Sequence, residues 1–113
     1  MSLLVVTTKQ EIAEALSGID CRSTGDVDEA GDMLLSPHRT VDVVVVDLAV
    51  ADWQGFVRWL TDSTSAQWIA ISERADLSLR IEAAQLGVAG FFRWSEGARK
   101  LKGLIDSLSL VEQ

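Results

Sequence analysis

Residues 43–46 are all valine, and the run ends on an aspartate, Asp47. This feature constrains the fold more than any other in the chain. A strand with one wet face alternates apolar and polar residues. An unbroken β-branched run instead marks a strand covered on both faces, as in a parallel sheet sandwiched by helices. It also raises a chemical question, because a buried strand here delivers a carboxylate at its carboxyl end.

The rest of the chain has the periodicity that such a sheet needs. Residues 3–6, 21–24, 68–71 and 90–94 read as further short strands, the second of them weak. Helical spacing recurs between them. Residues 9–16 carry Ile12, Ala13 and Leu16 in step, and residues 26–35 turn Val27, Ala30 and Leu34 inward. A helix begins at residues 55–60 with Phe56, Trp59 and Leu60 apolar. Residues 76–86 align Leu79, Ala83 and Leu86, with Gly87 placed to end that helix. Residues 96–108 align Leu101, Leu104, Ile105 and Leu108. Strand and helix thus alternate five times, which implies right-handed crossovers and a parallel sheet with helices on both faces. With 113 residues, one domain spanning residues 1–113 is expected.

Composition narrows the function. A hydrophobic share of 48% excludes a disordered chain, and a net charge of −7 disfavours direct contact with nucleic acid or an anionic membrane. No apolar run approaches the roughly 18 residues of a membrane span. The N-terminus lacks the basic leader and cleavage site of a signal peptide. The single cysteine, Cys21, forms no internal disulfide and is read as a small buried side chain. Together these suit a reducing, cytoplasmic compartment. There is no nucleophile–histidine pairing, no glycine-rich phosphate loop and no metal-ligand spacing, so the chain is not expected to be an enzyme. His38, alone in a polar loop beside Pro37, is read as solvated.

In a sheet of this kind the functional crevice lies beyond the carboxyl ends of the strands. Thr7, Thr8, Asp47, Ser72 and Trp94 fall at those ends.

These segments resemble a response-regulator receiver domain over nearly the whole chain. VVVVDLAVADWQG resembles the third strand and the following loop, with Asp47 at the phosphoacceptor position and the loop glycine, Gly55, eight residues on. WIAIS resembles the fourth strand, which ends in a hydroxyl residue. LGVAGFFRWS resembles the exit of helix four and the fifth strand, and LLVVTT the first strand. The resemblance implies a flavodoxin-like, doubly wound five-stranded sheet in the order 2-1-3-4-5. It makes Ser72 the hydroxyl that senses the phosphoryl group, Phe91 the switch aromatic, and Gly87 the glycine before strand five. Other positions depart from the pattern. Thr7 and Thr8 stand where the family has an acidic pair. Trp94 stands where it has a lysine, Ser95 where a proline follows, and Ala51 in place of the loop proline.

The departures matter physically. Attack of a carboxylate on phosphorus brings two negative groups together, and Mg²⁺ held by carboxylates, carbonyls and water relieves the repulsion. Threonine hydroxyls carry no charge to hold the metal. Trp94 offers at most an indole N–H to a phosphate. Arg93 is adjacent to the lysine position, but neighbouring strand residues point to opposite faces, which places it on the outer surface near the last helix. The expectation is therefore no Mg²⁺ and no other cofactor, with Asp47 accepting hydrogen bonds from backbone N–H groups or from Thr8 and Ser72. The function implied is that of an atypical receiver, a pseudo-receiver in a two-component or phosphorelay pathway, acting by protein–protein contact. Two alternatives stay open: a divergent receiver that is phosphorylated on Asp47, and a small-ligand sensor using an aromatic-rimmed crevice.

Trp59 and Trp68 fall in helix and strand patterns and read as core. Trp53 and Trp94 are assigned to loops near the crevice, where they would cap it or bind a partner. Asp20, Asp26, Asp28, Glu29 and Asp32 form an acidic, solvated face. Arg99, Lys100 and Lys102 make the main basic patch; with Phe91 and Arg93 they fall on the helix 4–strand 5–helix 5 face. That face is the expected contact surface for a protein partner or a second copy of the chain.

Overall fold

In the computed structural model, residues 3–15, 21–35, 41–73, 76–93 and 103 are described. The elements run β1 (Leu3–Val6), α1 (Gln10–Ala15), β2 (Cys21–Thr24), α2 (Val27–Leu34), β3 (Val43–Asp47), α3 (Trp53–Ser63), β4 (Gln67–Ser72), α4 (Leu77–Gln85) and β5 (Gly90–Arg93). The five strands form one sheet in the order β2-β1-β3-β4-β5. Every pairing is parallel, with Val6 beside Thr24 and Val46, Asp47 beside Ile71, and Ser72 beside Arg93. All strands therefore end on one side of the molecule. The expected last helix, residues 96–108, lies outside the described residues apart from Gly103, as do His38, Asp20 and the side chains of Ala13 and Cys21.

Period-two alternation divides the strand side chains between two cores. Leu4, Val6, Val44, Val46, Trp68 and Ala70 face α2, α3 and α4, meeting Ala30, Phe56, Val57, Leu60 and Ala83. Leu3, Val5, Val43, Val45, Ile69 and Ile71 face the other way, with Ile12 of α1 among them and Phe92 packed against them. The valines of β3 are fully buried on both faces, as the unbroken run requires.

Helix ends follow local chemistry. Asp26 caps α2 by accepting from the Asp28 N–H at 2.9 Å, and Asp76 caps α4 by accepting from the Ser78 N–H at 2.8 Å. At the end of α4, Gly87 takes φ +80°. Its N–H donates to the Ala84 carbonyl and the Val88 N–H to the Ala83 carbonyl, each at 3.2 Å. This paired closure is the Schellman motif, and it needs the left-handed residue that glycine supplies.

Helix α3 corrects the sequence expectation. It starts at Trp53 rather than Gly55, and it runs on to Ser63. Asp52 makes the entry, at φ 61°, ψ 29°, a left-handed conformation that aspartate tolerates better than most residues. Gly55 lies inside the first turn. A Cβ there would meet Asp52 Oδ1 at 2.8 Å, so the glycine leaves room for the carboxylate and does not end a loop.

Candidate functional site at the strand ends

Asp47 is the last residue of β3 and is 2% exposed. A carboxylate this buried needs donors to replace water. It has two. Thr7, just beyond β1, donates its hydroxyl to Asp47 Oδ2 at 2.8 Å. The Ala49 N–H donates to Oδ1 at 2.9 Å. Thr7 is itself held: its N–H donates to the Thr24 carbonyl at 2.8 Å, and its Oγ1 accepts from the Lys9 N–H at 3.1 Å. The backbone donor matches the sequence expectation. The side-chain donor is Thr7, not Thr8, which is exposed with its methyl set against Gly25 at the end of β2. Ser72 ends β4 and is buried.

Two further residues belong to this end of the sheet and were not singled out from sequence. The Lys9 ammonium pairs with Glu73 Oε1 at 2.6 Å. Lys9 follows β1 and Glu73 follows β4. The hydrogen bond to Glu73 raises the Lys9 pKa above its ordinary 10.5; burial opposes the rise, while the negative charges of Asp47, Glu73 and Glu11 add to it. The available signal was a lysine just after strand one and a glutamate just after strand four. In the order β1-β3-β4 those strands flank Asp47. Among the described residues, no group of three or more histidine, cysteine, aspartate or glutamate side chains is placed to hold a metal ion.

Trp53 does not sit in a loop. It is the first residue of α3, 4% exposed, and its ring lies 6.2 Å from that of Trp68. Burying its large apolar surface against Trp68 outweighs leaving the indole on a polar rim, so Trp53 supplies no exposed edge to the crevice. Trp94 lies outside the described residues. The aromatic cavity of the described molecule is elsewhere, between α2 and α3. It measures 310 Å³ and has Phe56, Trp59, Asp28, Asp32 and Asp52 among its walls.

On the flank of the sheet, Phe91 is half-buried, with the Arg80 guanidinium 5.5 Å from its ring centroid. Arg93 is exposed, and alternation along β5 puts it on the Phe91 side. Helix α4 exposes Leu77 (70%) and Ile81 (51%), one helical turn apart on one face. Arg99, Lys100 and Lys102 lie outside the described residues.

With this geometry in view, the comparisons with known proteins agree on the fold. The N-terminal domain of an uncharacterized protein, WS1339, from Wolinella succinogenes matches with a TM-score of 0.82 at 20% identity, over 99% of this chain and 96% of that one. A response regulator receiver domain protein from Clostridium thermocellum matches at 0.81 and 19% identity, over 95% and 92%. The non-phosphorylated HemR receiver domain from Leptospira biflexa matches at 0.78 and 16% identity, over 95% and 92%. No protein-family model and no curated protein sequence matches the chain. The chain therefore has the receiver-domain fold, flavodoxin-like, with Asp47 at the carboxyl end of its central strand.

Proposed function

We propose that the chain is an atypical receiver module of two-component-type signalling, working by protein–protein contact without Mg²⁺-dependent phosphorylation and without catalytic activity of its own. The observation that carries this reading is the state of Asp47. Its two oxygens accept from the Thr7 hydroxyl and the Ala49 N–H, and Thr7 occupies ground where a second carboxylate would be needed. Mg²⁺ favours octahedral oxygen ligands that include carboxylates. One buried carboxylate with neutral donors does not fit it.

The contact surface proposed is the flank built by α4 and β5. Leu77 and Ile81 of α4 stand in solvent there, Arg80 of the same helix reaches over Phe91 of β5, and Arg93 is exposed at the end of β5. Adjacent exposed apolar side chains with nearby arginine and aromatic groups are the composition of a contact patch. The partner is an acidic, apolar protein surface or a second copy of the chain. The ligand-sensor alternative loses support, because Trp53 is buried rather than rimming the crevice.

The test is a two-dimensional amide NMR titration with Mg²⁺ and then with beryllofluoride, a phosphoryl mimic. The Ala49 and Ser72 amides are expected to stay in place at millimolar concentrations. A saturable shift that Asp47→Asn abolishes would overturn the proposal in favour of phosphorylation on Asp47.

A further inference from the structure

We propose that Lys9 is the built-in cation of this site: its ammonium, tied across the strand ends to Glu73, neutralises Asp47 from the place where a site of this shape would otherwise need a bound metal ion. The inference rests on the reading of the site as metal-independent.

The argument begins with topology. In the order β1-β3-β4, the outer two strands flank β3. Lys9 leaves β1 and Glu73 follows β4 directly. Adjacent strands lie about 4.8 Å apart, so β1 and β4 are roughly 10 Å apart at their ends. A lysine and a glutamate that meet at 2.6 Å bridge that gap over the end of β3, where Asp47 lies. The strap is therefore laid over the carboxylate by the fold itself.

The second step is charge. Thr7 and Ala49 give Asp47 hydrogen bonds but no positive charge. A buried carboxylate is costly unless a cation is near. The charge of Asp47 is among the causes that raise the Lys9 pKa, after the hydrogen bond to Glu73, in keeping with an ammonium laid near the carboxylate.

The third step is placement. Thr7 Oγ1 accepts from the Lys9 N–H at 3.1 Å while donating to Asp47 at 2.8 Å. One hydroxyl thus links the backbone of Lys9 to the carboxylate, in the local turn that threonine favours. Threonine at position 7 serves both ends: it removes a metal ligand and it sets the lysine that replaces the metal.

The experiment measures Mn²⁺ binding by electron paramagnetic resonance of the free ion. Four forms of the full chain are compared: wild type, Lys9→Met, Thr7→Asp, and Thr7→Asp with Lys9→Met. Wild type and Lys9→Met are expected to show no saturable site at millimolar Mn²⁺. Thr7→Asp supplies a second carboxylate but keeps the ammonium. The double variant is expected to bind at least roughly tenfold more tightly than Thr7→Asp alone, since one unit charge is removed from the ion's neighbourhood. Equal affinity in those two would overturn the role of Lys9 and leave the functional reading standing. Saturable binding by wild type would overturn both. Should the Thr7→Asp forms fail to fold, lysine side-chain NMR decides. The Lys9 ammonium resonance is expected to move on Asp47→Asn; an unmoved Lys9 resonance would overturn the proposal.

Discussion

The strand ends around Asp47 and the outer face of α4 are opposites. At the strand ends a buried carboxylate and a buried hydroxyl are matched to each other and to a backbone amide, beside a partly exposed ammonium–carboxylate pair. On α4 apolar side chains stand in water, with Leu77 and Ile81 both more than half exposed. A typical domain hides its apolar groups and wets its polar ones. Inversion of that rule in two neighbouring places indicates where this fold keeps its interactions. The strand ends are closed on themselves, and the flank is left open.

Trp68 lies in the core on which α3 and α4 pack, so its loss should have the largest effect. Its ring meets Trp53, and its indole N–H donates to the Leu86 carbonyl at 3.2 Å, at the end of α4. Trp68→Ala is expected to destabilise by about 3–5 kcal/mol, measured by urea denaturation. A loss below about 1.5 kcal/mol would mean the core refills the gap and that neither region depends on it.

Asp47 tests whether the strand ends really are self-satisfied. In a crowd of carboxylates, deleting one relieves repulsion and stabilises the fold. Here deletion strands two donors, so Asp47→Ala should destabilise by about 1–3 kcal/mol. Asp47→Asn should cost less, because the amide oxygen still accepts and the Thr7 hydroxyl can rotate to accept from the amide nitrogen. A gain in stability in Asp47→Ala would reverse the sign and show that like charges crowd the site.

How far these regions were legible in sequence follows from what each depends on. The valine run and the alternating helices are local periodicities, and the inward residues among those described came through, while the sheet order followed from the receiver resemblance. Trp53 was misplaced because Asp52-Trp53-Gln54-Gly55 looks like a turn; the helix starts early only because Asp52 enters the left-handed region. The Lys9–Glu73 pair needs side chains from two different loops to meet across the end of β3, which no local pattern states even with the sheet order in hand. Helix α4 carries apolar residues both inward (Leu79, Ala83, Leu86) and outward (Leu77, Ile81). A reading that seeks one apolar stripe finds the first set and passes over the second.

The Lys9–Glu73 pair makes a smaller prediction, with a definite sign. Its folded-state pKa is raised, first by the hydrogen bond to Glu73. A raised lysine pKa contributes stability that is fully present below the unfolded value and is lost as pH rises through the folded one. Both side chains are partly exposed, so the pair is worth about 0.2–1 kcal/mol. The stability gap between wild type and Glu73→Gln should hold steady from neutral pH to the approach of 10.5, then close above it. A gap that closes well below that pH would assign the effect to another group.

The smallest effect on folding is expected where the effect on association is largest. Leu77→Ser with Ile81→Ser removes apolar groups that are already in water, so stability should change by no more than about 0.5 kcal/mol. The same pair of changes should abolish the concentration-dependent association that sedimentation velocity is expected to find in the wild-type chain, because the flank would lose its apolar centre while Arg80 and Arg93 remain. Unchanged association would move the contact surface off α4. A stability loss beyond about 1 kcal/mol would show that the two side chains contribute to the core after all, and the contrast between a closed crevice and an open flank would lose its second half.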